Sequence, residues 1–454
     1  MIFKGLNINP RGLLPALVII LMTALIAQPA AADDNYEFIV ITKARQKIRV
    51  AVPTFRTPSG SDQIGEEAAA ITESMRETVR MTGLFELIPP DSYPDPIVPG
   101  GEENFSAWSL IRTDLLIRGD MAPLGSGRYQ VELRLYDVKQ KKMVLGKRYT
   151  GARDMLSRMS LRFMDEILGW LTPKKGALDA RIAYVTDRSR RDEIHVMDTD
   201  GSHDQAITTN RTMNLSPAWS RDGRYLVYTG YRARNPDLYI ADLVENRTWR
   251  FFAREGLNNA AEFSPDGRMV AFNREAADGN IDIYLMELGS KKLRRITTAW
   301  SVEVSPTWSP DGRYLAFVSD RTGSPQVYIL DLSRGPETSN NPAVRITQDG
   351  SYNTSPAWSP DGRWIAYTGR VGGQFDLFLI DMGKEGKNVR RLTATIANEE
   401  DPTWSPDSRF LVYASNKYGN YDIFLMSIYG GSPKRLTTSP AKDRMPAWSP
   451  RTEP

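Results

Sequence analysis

The chain has 454 residues, of which 41% are hydrophobic and 25% are charged, and its formal net charge is +3. This composition predicts a folded protein of at least two domains and excludes extensive disorder, and the small net charge argues against general binding to nucleic acid or to a membrane surface. The sequence contains no cysteine, which excludes disulfides, thiolate metal sites and thiol catalysis.

The first 32 residues have the three-part pattern of a secretory signal peptide. Lys4 and Arg11 accompany an apolar run at residues 13–27, and small residues follow before Asp33. The apolar run is shorter than the ~20 residues that a membrane-spanning helix needs. We therefore predict cleavage after Ala32, which removes two basic residues and lowers the net charge from +3 to +1.

Residues 33–172 predict a small α/β domain. Alternating apolar residues indicate strands, and apolar residues spaced by three or four indicate helices. The predicted strands are 36–41, 48–52, 115–117, 129–136 and 143–149, and the predicted helices are 65–81 and 154–170. Residues 89–101, rich in Pro, Asp and Gly, predict a loop inside this domain, and residues 173–180 predict a linker to the rest of the chain.

Residues 181–454 contain six copies of a motif close to Ser-Pro-x-Trp-Ser-Pro-Asp-Gly. Each copy has an aromatic anchor, and the anchors are Trp219, Phe263, Trp308, Trp358, Trp404 and Trp448. They are 44, 45, 50, 46 and 44 residues apart, which is the length of one four-stranded propeller blade. The Asp-Gly segments favour hairpin turns, and runs rich in β-forming residues follow them. The sequence therefore predicts a six-bladed all-β propeller.

The two ends of this repeat region predict how the ring closes. The strands near Arg181 and Glu193 have no anchor strand before them, whereas the anchor Trp448 has no strand after it. We therefore expect the C-terminal strand to complete the first blade. Such closure leaves no blade edge exposed to aggregation.

The sequence gives no sign of catalysis. It has no Gly-x-Ser-x-Gly turn, no paired histidine ligands and no Gly-rich phosphate loop. His195 stands at the register where other blades have a packing aromatic residue, so a core role is favoured over a metal or base role, and His203 falls in a predicted turn. A propeller that regulates a peptidase would need a hydrolase domain of about 200 residues, and the flanks have no room for it. We expect no enzymatic activity.

Together, the signal peptide, the α/β domain and the six-unit propeller resemble the TolB family, the periplasmic components of the Tol-Pal systems of Gram-negative bacteria. The resemblance covers essentially the whole mature chain. Beyond the architecture, it is carried by Ile48-Arg-Val-Ala-Val-Pro53-Thr-Phe55, Gly83-Leu-Phe85 and Ala447-Trp448-Ser-Pro450.

The resemblance implies a periplasmic monomer that contacts the membrane only through its partners. It implies that the propeller binds the peptidoglycan-associated lipoprotein Pal and that the mature N-terminus binds TolA. Such a protein supports outer-membrane integrity and constriction during cell division. A propeller that acts as a scaffold for outer-membrane protein assembly is the alternative interpretation.

One position of the repeat predicts a partner site. Five residues before each anchor, every repeat has a side chain with a carbonyl or carboxylate oxygen, namely Asn214, Asn258, Glu303, Asn353, Glu399 and Asp443. The position precedes the inner strand, where we expect the loop to cross the mouth of the central channel. The same rim is expected to include Tyr352, Glu400, Asp401 and Arg444.

Two interpretations of this position are open. Asn and Asp suit turns, but Glu is a poor turn former, so partner binding is favoured over turn formation. The oxygens would suit backbone amides or a basic side chain of a partner segment. They would also suit a calcium ion if they converge, and no other cofactor is expected.

The mature N-terminus is the second predicted partner site. It consists of Asp33, Asp34, Asn35, Tyr36, Glu37, Phe38, Ile39 and Val40. Residues 33–40 form either a frayed end or, as the resemblance implies, a strand that pairs with TolA through its main chain.

Overall fold

The computed structural model describes residues 47–58, 64–94, 103–172, 174–383 and 388–451. The predicted signal peptide and the strand predicted at residues 36–41 lie outside these ranges. Within them, no helix combines the length and the apolar character that crossing a bilayer requires. The fold class is the predicted one, a small α/β part followed by a six-bladed propeller.

The N-terminal part is built on one mixed sheet. Its strands are β1 (Ile48–Ala51), β2 (Phe85–Leu87), β3 (Leu115–Gly125), β4 (Arg128–Asp137) and β5 (Lys142–Ala152), and its helices are α1 (Gly65–Met81), α2 (Phe105–Leu110) and α3 (Leu156–Leu171). The strands pair in the order β2-β1-β3-β4-β5. Strand β1 is parallel to β2 and β3, and the other pairs are antiparallel.

The two-residue period of β3 directs side chains to both faces of this sheet. Leu115 and Ile117 belong to the hydrophobic cluster that α1 and α3 form on one face. Leu116, between them, packs instead with Trp108 of α2 on the other face. The sheet therefore has a buried core on each side.

The propeller has six antiparallel four-stranded blades. We number the strands of a blade from the inner strand outward. In the closing blade, the second to fourth strands are β6 (Arg181–Thr186), β7 (Glu193–Asp198) and β8 (Gln205–Ala206). Blade I has β9 (Asn214–Trp219), β10 (Tyr225–Gly230), β11 (Asp237–Asp242) and β12 (Arg247–Phe252), and blade II has β13 (Asn258–Phe263), β14 (Met269–Glu275), β15 (Ile281–Glu287) and β16 (Leu293–Arg295). Blade III has β17 (Glu303–Trp308), β18 (Tyr314–Ser319), β19 (Gln326–Asp331) and β20 (Val344–Arg345), and blade IV has β21 (Asn353–Trp358), β22 (Trp364–Val371), β23 (Gln374–Asp381) and β24 (Val389–Arg391). Blade V has β25 (Glu399–Trp404), β26 (Phe410–Ser415), β27 (Asp422–Ser427) and β28 (Lys434–Arg435), after which β29 (Asp443–Trp448) returns to the closing blade.

In blades I to V, the turn between the first two strands follows from the repeated motif. In blade I, Ser220 Oγ donates to Asp222 Oδ1 at 2.5 Å, and the Gly223 N–H donates to the Ser220 carbonyl at 2.9 Å. Gly223 has φ 69°, a left-handed conformation that glycine adopts without a steric penalty. Blade V places Ser408 at this position with φ 63°.

The C-terminal strand closes the ring, as predicted. Strand β29 pairs antiparallel with β6, and the Ser449 N–H donates to the Arg181 carbonyl at 2.8 Å. The Arg181 N–H donates in return to Ser449 Oγ at 3.0 Å. The indole N–H of Trp219 in blade I donates to the Ala447 carbonyl at 2.9 Å, which joins the closing blade to its neighbour.

The α/β part packs against one face of the propeller. Phe163 of α3 lies in the same hydrophobic cluster as Phe410 and Trp448, and Ser427 Oγ donates to the Thr82 carbonyl at 2.7 Å. These propeller residues lie beside the turns that join strands 1 to 2 and 3 to 4 of a blade. We call this side the domain face, and we call the opposite side, with the 2–3 and 4–1 loops, the loop face.

Candidate functional site

The six inner strands, β9, β13, β17, β21, β25 and β29, surround a central channel with a cavity of about 650 Å³. Its walls come from residues 216–221, 260–265, 305–310, 355–360, 401–406 and 445–450. Each segment runs from three residues before an anchor to two residues after it. Proline and tryptophan side chains dominate this lining, so the channel is largely apolar.

Every inner strand has a bulge where it enters the channel. Its pairing with the second strand shifts register there, and the residue three before the anchor has φ between 48° and 55°. These residues are Ser216, Ala260, Ser305, Ser355, Asp401 and Met445. A left-handed conformation at six non-glycine positions is uncommon and unfavourable. Neither the composition nor the strand period predicted it.

The bulges are held by hydrogen bonds from the bulged residues. The N–H groups of Ala260 and Asp401 donate to Thr229 Oγ1 and Thr368 Oγ1, each at 3.2 Å. Ser355 Oγ donates to Asp401 Oδ1 of the next blade at 2.7 Å. All six bulged residues line the channel and so form a ring around it.

Glu262 brings an ionisable group into this lining. It is half-buried and accepts a hydrogen bond from Thr307 Oγ1 at 3.3 Å. Burial raises the pKa of Glu262 to about 8. The Glu262 carboxyl group is therefore more easily protonated than a carboxyl group in water.

The structure places the six predicted mouth residues at the first position of each inner strand, with 0–2% of each exposed. None of them lines the cavity. Their side chains support the 4–1 loops of the loop face. Asn214 Nδ2 donates to the Thr212 carbonyl at 2.9 Å, and Thr395 Oγ1 donates to Glu399 Oε1 at 2.7 Å.

Five of the six mouth residues also interact with a residue near the start of the third strand of the preceding blade, whereas Asn258 Nδ2 donates to the Pro236 carbonyl there at 3.2 Å. We call a mouth residue and the third-strand residue that it faces a junction pair. Asn214 Nδ2 donates to Glu193 Oε2 at 2.9 Å, and Asn353 Nδ2 donates to Gln326 Oε1 at 2.7 Å. In the order of the chain, the third-strand positions hold Glu193, Asp237, Asp282, Gln326, Asp376 and Asp422.

Three junction pairs have a carboxyl group on both sides: Asp282 with Glu303, Asp376 with Glu399, and Asp422 with Asp443. An arginine of the fourth strand neutralises the third-strand member of each pair. The carboxylates of Asp282, Asp376 and Asp422 lie 2.5, 2.7 and 2.7 Å from Arg295, Arg391 and Arg435.

The mouth members of these pairs are shifted toward the protonated form. Burial, to which the neighbouring acid adds, raises the pKa of Glu303 and of Glu399 to about 7. Burial likewise raises the pKa of Asp443, against the opposing effect of Arg188. Glu303 Oε2 and Glu399 Oε2 accept no hydrogen bond from any described residue, which is consistent with a proton on one acid of each pair.

The other predicted rim residues have separate environments. Tyr352 is 38% exposed, with its ring 5.6 Å from that of Phe375. Arg444 pairs with Asp192 at 2.7 Å, and Glu400 accepts a hydrogen bond from the Tyr421 hydroxyl. Asp401 belongs to the bulge ring. Tyr352 thus precedes an inner strand, whereas Glu400, Asp401 and Arg444 lie on inner strands, and each of the four has its own contacts.

The remaining predictions about sites have different outcomes. Residues 33–40 lie outside the described ranges, so their role stays a prediction. Among the described residues, no three Asp, Glu, His or Cys side chains are placed to hold a metal ion, and the calcium hypothesis therefore gains no support. His195 packs against Tyr184 with ring centroids 5.9 Å apart, as its register predicted.

The two parts of the fold match two different protein-domain families. Residues 169–452 match the family of TolB β-propeller domains, and residues 38–144 match the TolB amino-terminal domain. The Tol-Pal system protein TolB of Desulfosudis oleivorans is 36% identical over 258 residues, 56% of this chain and 58% of that protein. The corresponding protein of Syntrophotalea carbinolica is 36% identical over 219 residues, 47% of this chain and 48% of that protein.

These curated relatives are thus matched over about half to three fifths of their own length. A solved structure extends further. The crystal structure of TolB from Acinetobacter baumannii has a TM-score of 0.74 and 25% identity, and the similarity covers 92% of this chain and 100% of that chain.

Proposed function

Because this chain belongs to the TolB family, we propose that it is the periplasmic protein-binding component of a Tol-Pal system and that it catalyses no reaction. In this role it supports outer-membrane integrity and constriction during cell division. The similarity to a TolB structure over 92% of the chain is the observation that carries this proposal. The rigid, closed ring adds to it, because loops on a rigid scaffold are common binding sites.

In this proposal, Pal binds the loop face over the channel mouth. The face has exposed apolar side chains in its 4–1 loops, where Trp300 and Ile396 are 88% and 86% exposed. Large exposed apolar residues of this kind are frequent anchors of protein interfaces. The buried mouth residues would contribute by holding these loops in place, because Glu303 and Glu399 accept hydrogen bonds from Ser301 and Thr395 of these two loops.

TolA is the second proposed partner, and residues 33–40 are its proposed site. The segment is separate in sequence from the loop face. The two binding events can therefore be tested separately.

Calorimetric titration of Pal and of TolA into the mature protein tests both proposals. We expect the double variant Trp300→Ala/Ile396→Ala to weaken Pal binding by at least about 2 kcal/mol and to leave TolA binding unchanged. Deletion of residues 33–40 should abolish TolA binding and spare Pal binding. Val244→Ala is the matched control, since Val244 is exposed in a 3–4 turn of the domain face.

Two results would contradict the proposal. Absence of Pal and TolA binding by the unaltered protein, with barrel-assembly proteins crosslinked to it in envelopes, would favour the scaffold interpretation. Equal Pal affinity of the double variant and the unaltered protein would remove the loop face as the Pal site.

A further inference from the structure

Five arginines protrude from one side of the loop face. They are Arg190, Arg191, Arg211, Arg234 and Arg254, and all are exposed. They come from four loops, 187–192, 208–213, 231–236 and 253–257, of the closing blade and blade I. We call these five residues the arginine rim.

The four loops form one continuous surface. The Asn214 N–H donates to the Asp192 carbonyl at 2.9 Å, and the Tyr231 N–H donates to the Met213 carbonyl at 3.0 Å. Asn235 Nδ2 donates to the Arg254 carbonyl at 2.9 Å. Each loop is thus hydrogen-bonded to the next one or to the strand that follows it.

The backbone at two rim positions favours glycine. In the 2–3 turns of blades II, III and V, the fourth residue is Gly279, Gly323 or Gly419, with φ between 80° and 100° and its N–H bonded to the first residue of the turn. Arg190 and Arg234 occupy the same turn position with φ 65° and 64° and the same hydrogen bond. An L side chain there is strained relative to glycine. The arginines therefore do not serve the turn itself.

The rim arginines also lack acidic partners. Within the described part of the chain, no ion pair joins any of the five to a carboxylate, whereas Arg295, Arg391 and Arg435 on the fourth strands are all paired. Counting every residue of the four loops, seven arginines face three acids. The rim is therefore a concentrated and uncompensated positive surface on a chain whose net charge is only +3.

We propose that the arginine rim binds an acidic segment of the protein that docks over the channel mouth. Guanidinium groups bind carboxylates in a planar, bidentate manner. The same face presents Trp300 and Ile396, and arginine and aromatic residues are enriched at protein interfaces. This inference rests on the proposed function and adds the charge that the partner surface must have.

Charge complementarity of this kind acts mainly on the association rate. We therefore expect the rate constant for association with Pal to fall steeply with ionic strength. The variant Arg190→Glu/Arg211→Glu/Arg234→Glu should associate at least about tenfold more slowly at low salt and should lose most of the salt dependence. Stopped-flow mixing of the mature protein with purified Pal measures both effects.

Two further variants separate binding from folding and from net charge. Lys139→Glu/Lys141→Glu/Lys142→Glu makes the same change in charge at exposed positions of the β4–β5 turn and the first residue of β5, where Lys141 also has a positive φ of 54°, and it should bind normally. Arg190→Gly/Arg234→Gly places glycine at the two strained turn positions. It should be at least as stable as the unaltered protein and still associate more slowly.

The possible results separate this inference from the proposed function. If both rim variants associate normally with Pal, the arginine rim is not a Pal-binding surface, and the proposed function is unaffected. No Pal binding by the unaltered protein would overturn both. Suppose instead that the rim variants lose binding to phosphatidylglycerol vesicles but associate normally with Pal. The ligand of the arginine rim would then be a lipid surface and not an acidic protein segment.

Discussion

Glu303 and Glu399 show how different residue types can occupy equivalent positions of the repeat. At the junctions formed by Asn214 and Asn353, an amide N–H donates to the facing acid or amide. Glu303 and Glu399 face aspartates instead, and burial raises the pKa of each to about 7, which favours a proton on one acid of each pair. The stability of these two junctions therefore depends on pH, whereas the junctions that contain an asparagine do not need such a proton.

The first prediction concerns the pH dependence of stability. The folded-state pKa of Glu303 and of Glu399 is about 7, above the ordinary value of 4.5. The folded state therefore holds these protons more tightly than the unfolded state does. Their contribution to stability is fully present below about pH 4.5 and is lost as the pH rises toward 7.

The variant Glu303→Gln supplies a permanent neutral side chain and should remove this dependence. Its free energy of unfolding, relative to that of the unaltered protein, should increase by about 1–3 kcal/mol between about pH 5 and 8. Urea denaturation at both pH values measures the change, with Glu255→Gln, an exposed position, as the control. Parallel pH profiles for Glu303→Gln and the unaltered protein would show that the pair has no raised pKa.

The sequence predicted the position of these residues better than their orientation. The shared spacing of Asn214, Glu303 and Asp443 from their anchors correctly identified one structural position in every blade. It could not show that the side chains turn into the blade junctions, because that direction depends on the bulge two residues later. The facing residue lies 21 to 27 residues earlier, in the preceding blade, and only the packing of consecutive blades brings the two together.

At the scale of single elements, the contact between the α/β part and the propeller depends on glycine. Gly83 follows α1 with φ 68°, and a Cβ atom built on it would lie 2.1 Å from the Gly430 carbonyl oxygen. Gly430 lies at the turn that leads from β27 to β28. Two backbones thus approach more closely than side chains would allow.

The second prediction uses two glycines with the same backbone conformation. Gly83 and Gly127 both have φ 68°, but a Cβ atom on Gly127 would have no atom within 4 Å. Gly127→Ala should lower the free energy of unfolding by about 1 kcal/mol, because alanine is strained in this left-handed backbone conformation. Gly83→Ala should cost at least about 2 kcal/mol more, because it also forces the two parts of the molecule apart.

Thermal unfolding and limited proteolysis at the α/β–propeller boundary measure these costs. The Gly83→Ala variant should be cleaved faster there than Gly127→Ala. Equal stability and equal cleavage of the two variants would mean that the contact with Gly430 adjusts without cost.

Most elements were predictable where their periodic pattern is long. Helix α1 begins and ends where predicted, at Gly65 and Met81, because its apolar face repeats through 17 residues. Strand β2 and helix α2 were not predicted, since three and six residues are too short to show a period. Strand β3 continues well past residue 117, because β4 pairs with it as far as Gly125.

At the scale of the whole molecule, stability depends on ring closure. Each inner strand contacts the inner strands of both neighbouring blades, so removal of one strand affects three blades. Strand β29 contributes Trp448, 6% exposed, to the cluster that also holds Phe163 of α3. The last strand of the chain therefore supports the ring and the contact with the α/β part together.

The third prediction is that a chain ending at residue 442 loses the cooperative unfolding of the propeller. Without β29, the edge of β6 is left unpaired, the indole N–H of Trp219 loses its acceptor on Ala447, and the apolar surface around Phe410 is exposed to water. An open ring with a free strand edge should unfold over a broad temperature range and aggregate.

A chain that ends at Arg451 keeps the whole of β29 and is the control, and calorimetry compares the two. A single sharp transition near that of the control would show that the five complete blades are stable without closure. Addition of a synthetic peptide of residues 443–451 to the shorter chain should restore the sharp transition, because the β6 edge offers it the same ladder of hydrogen bonds.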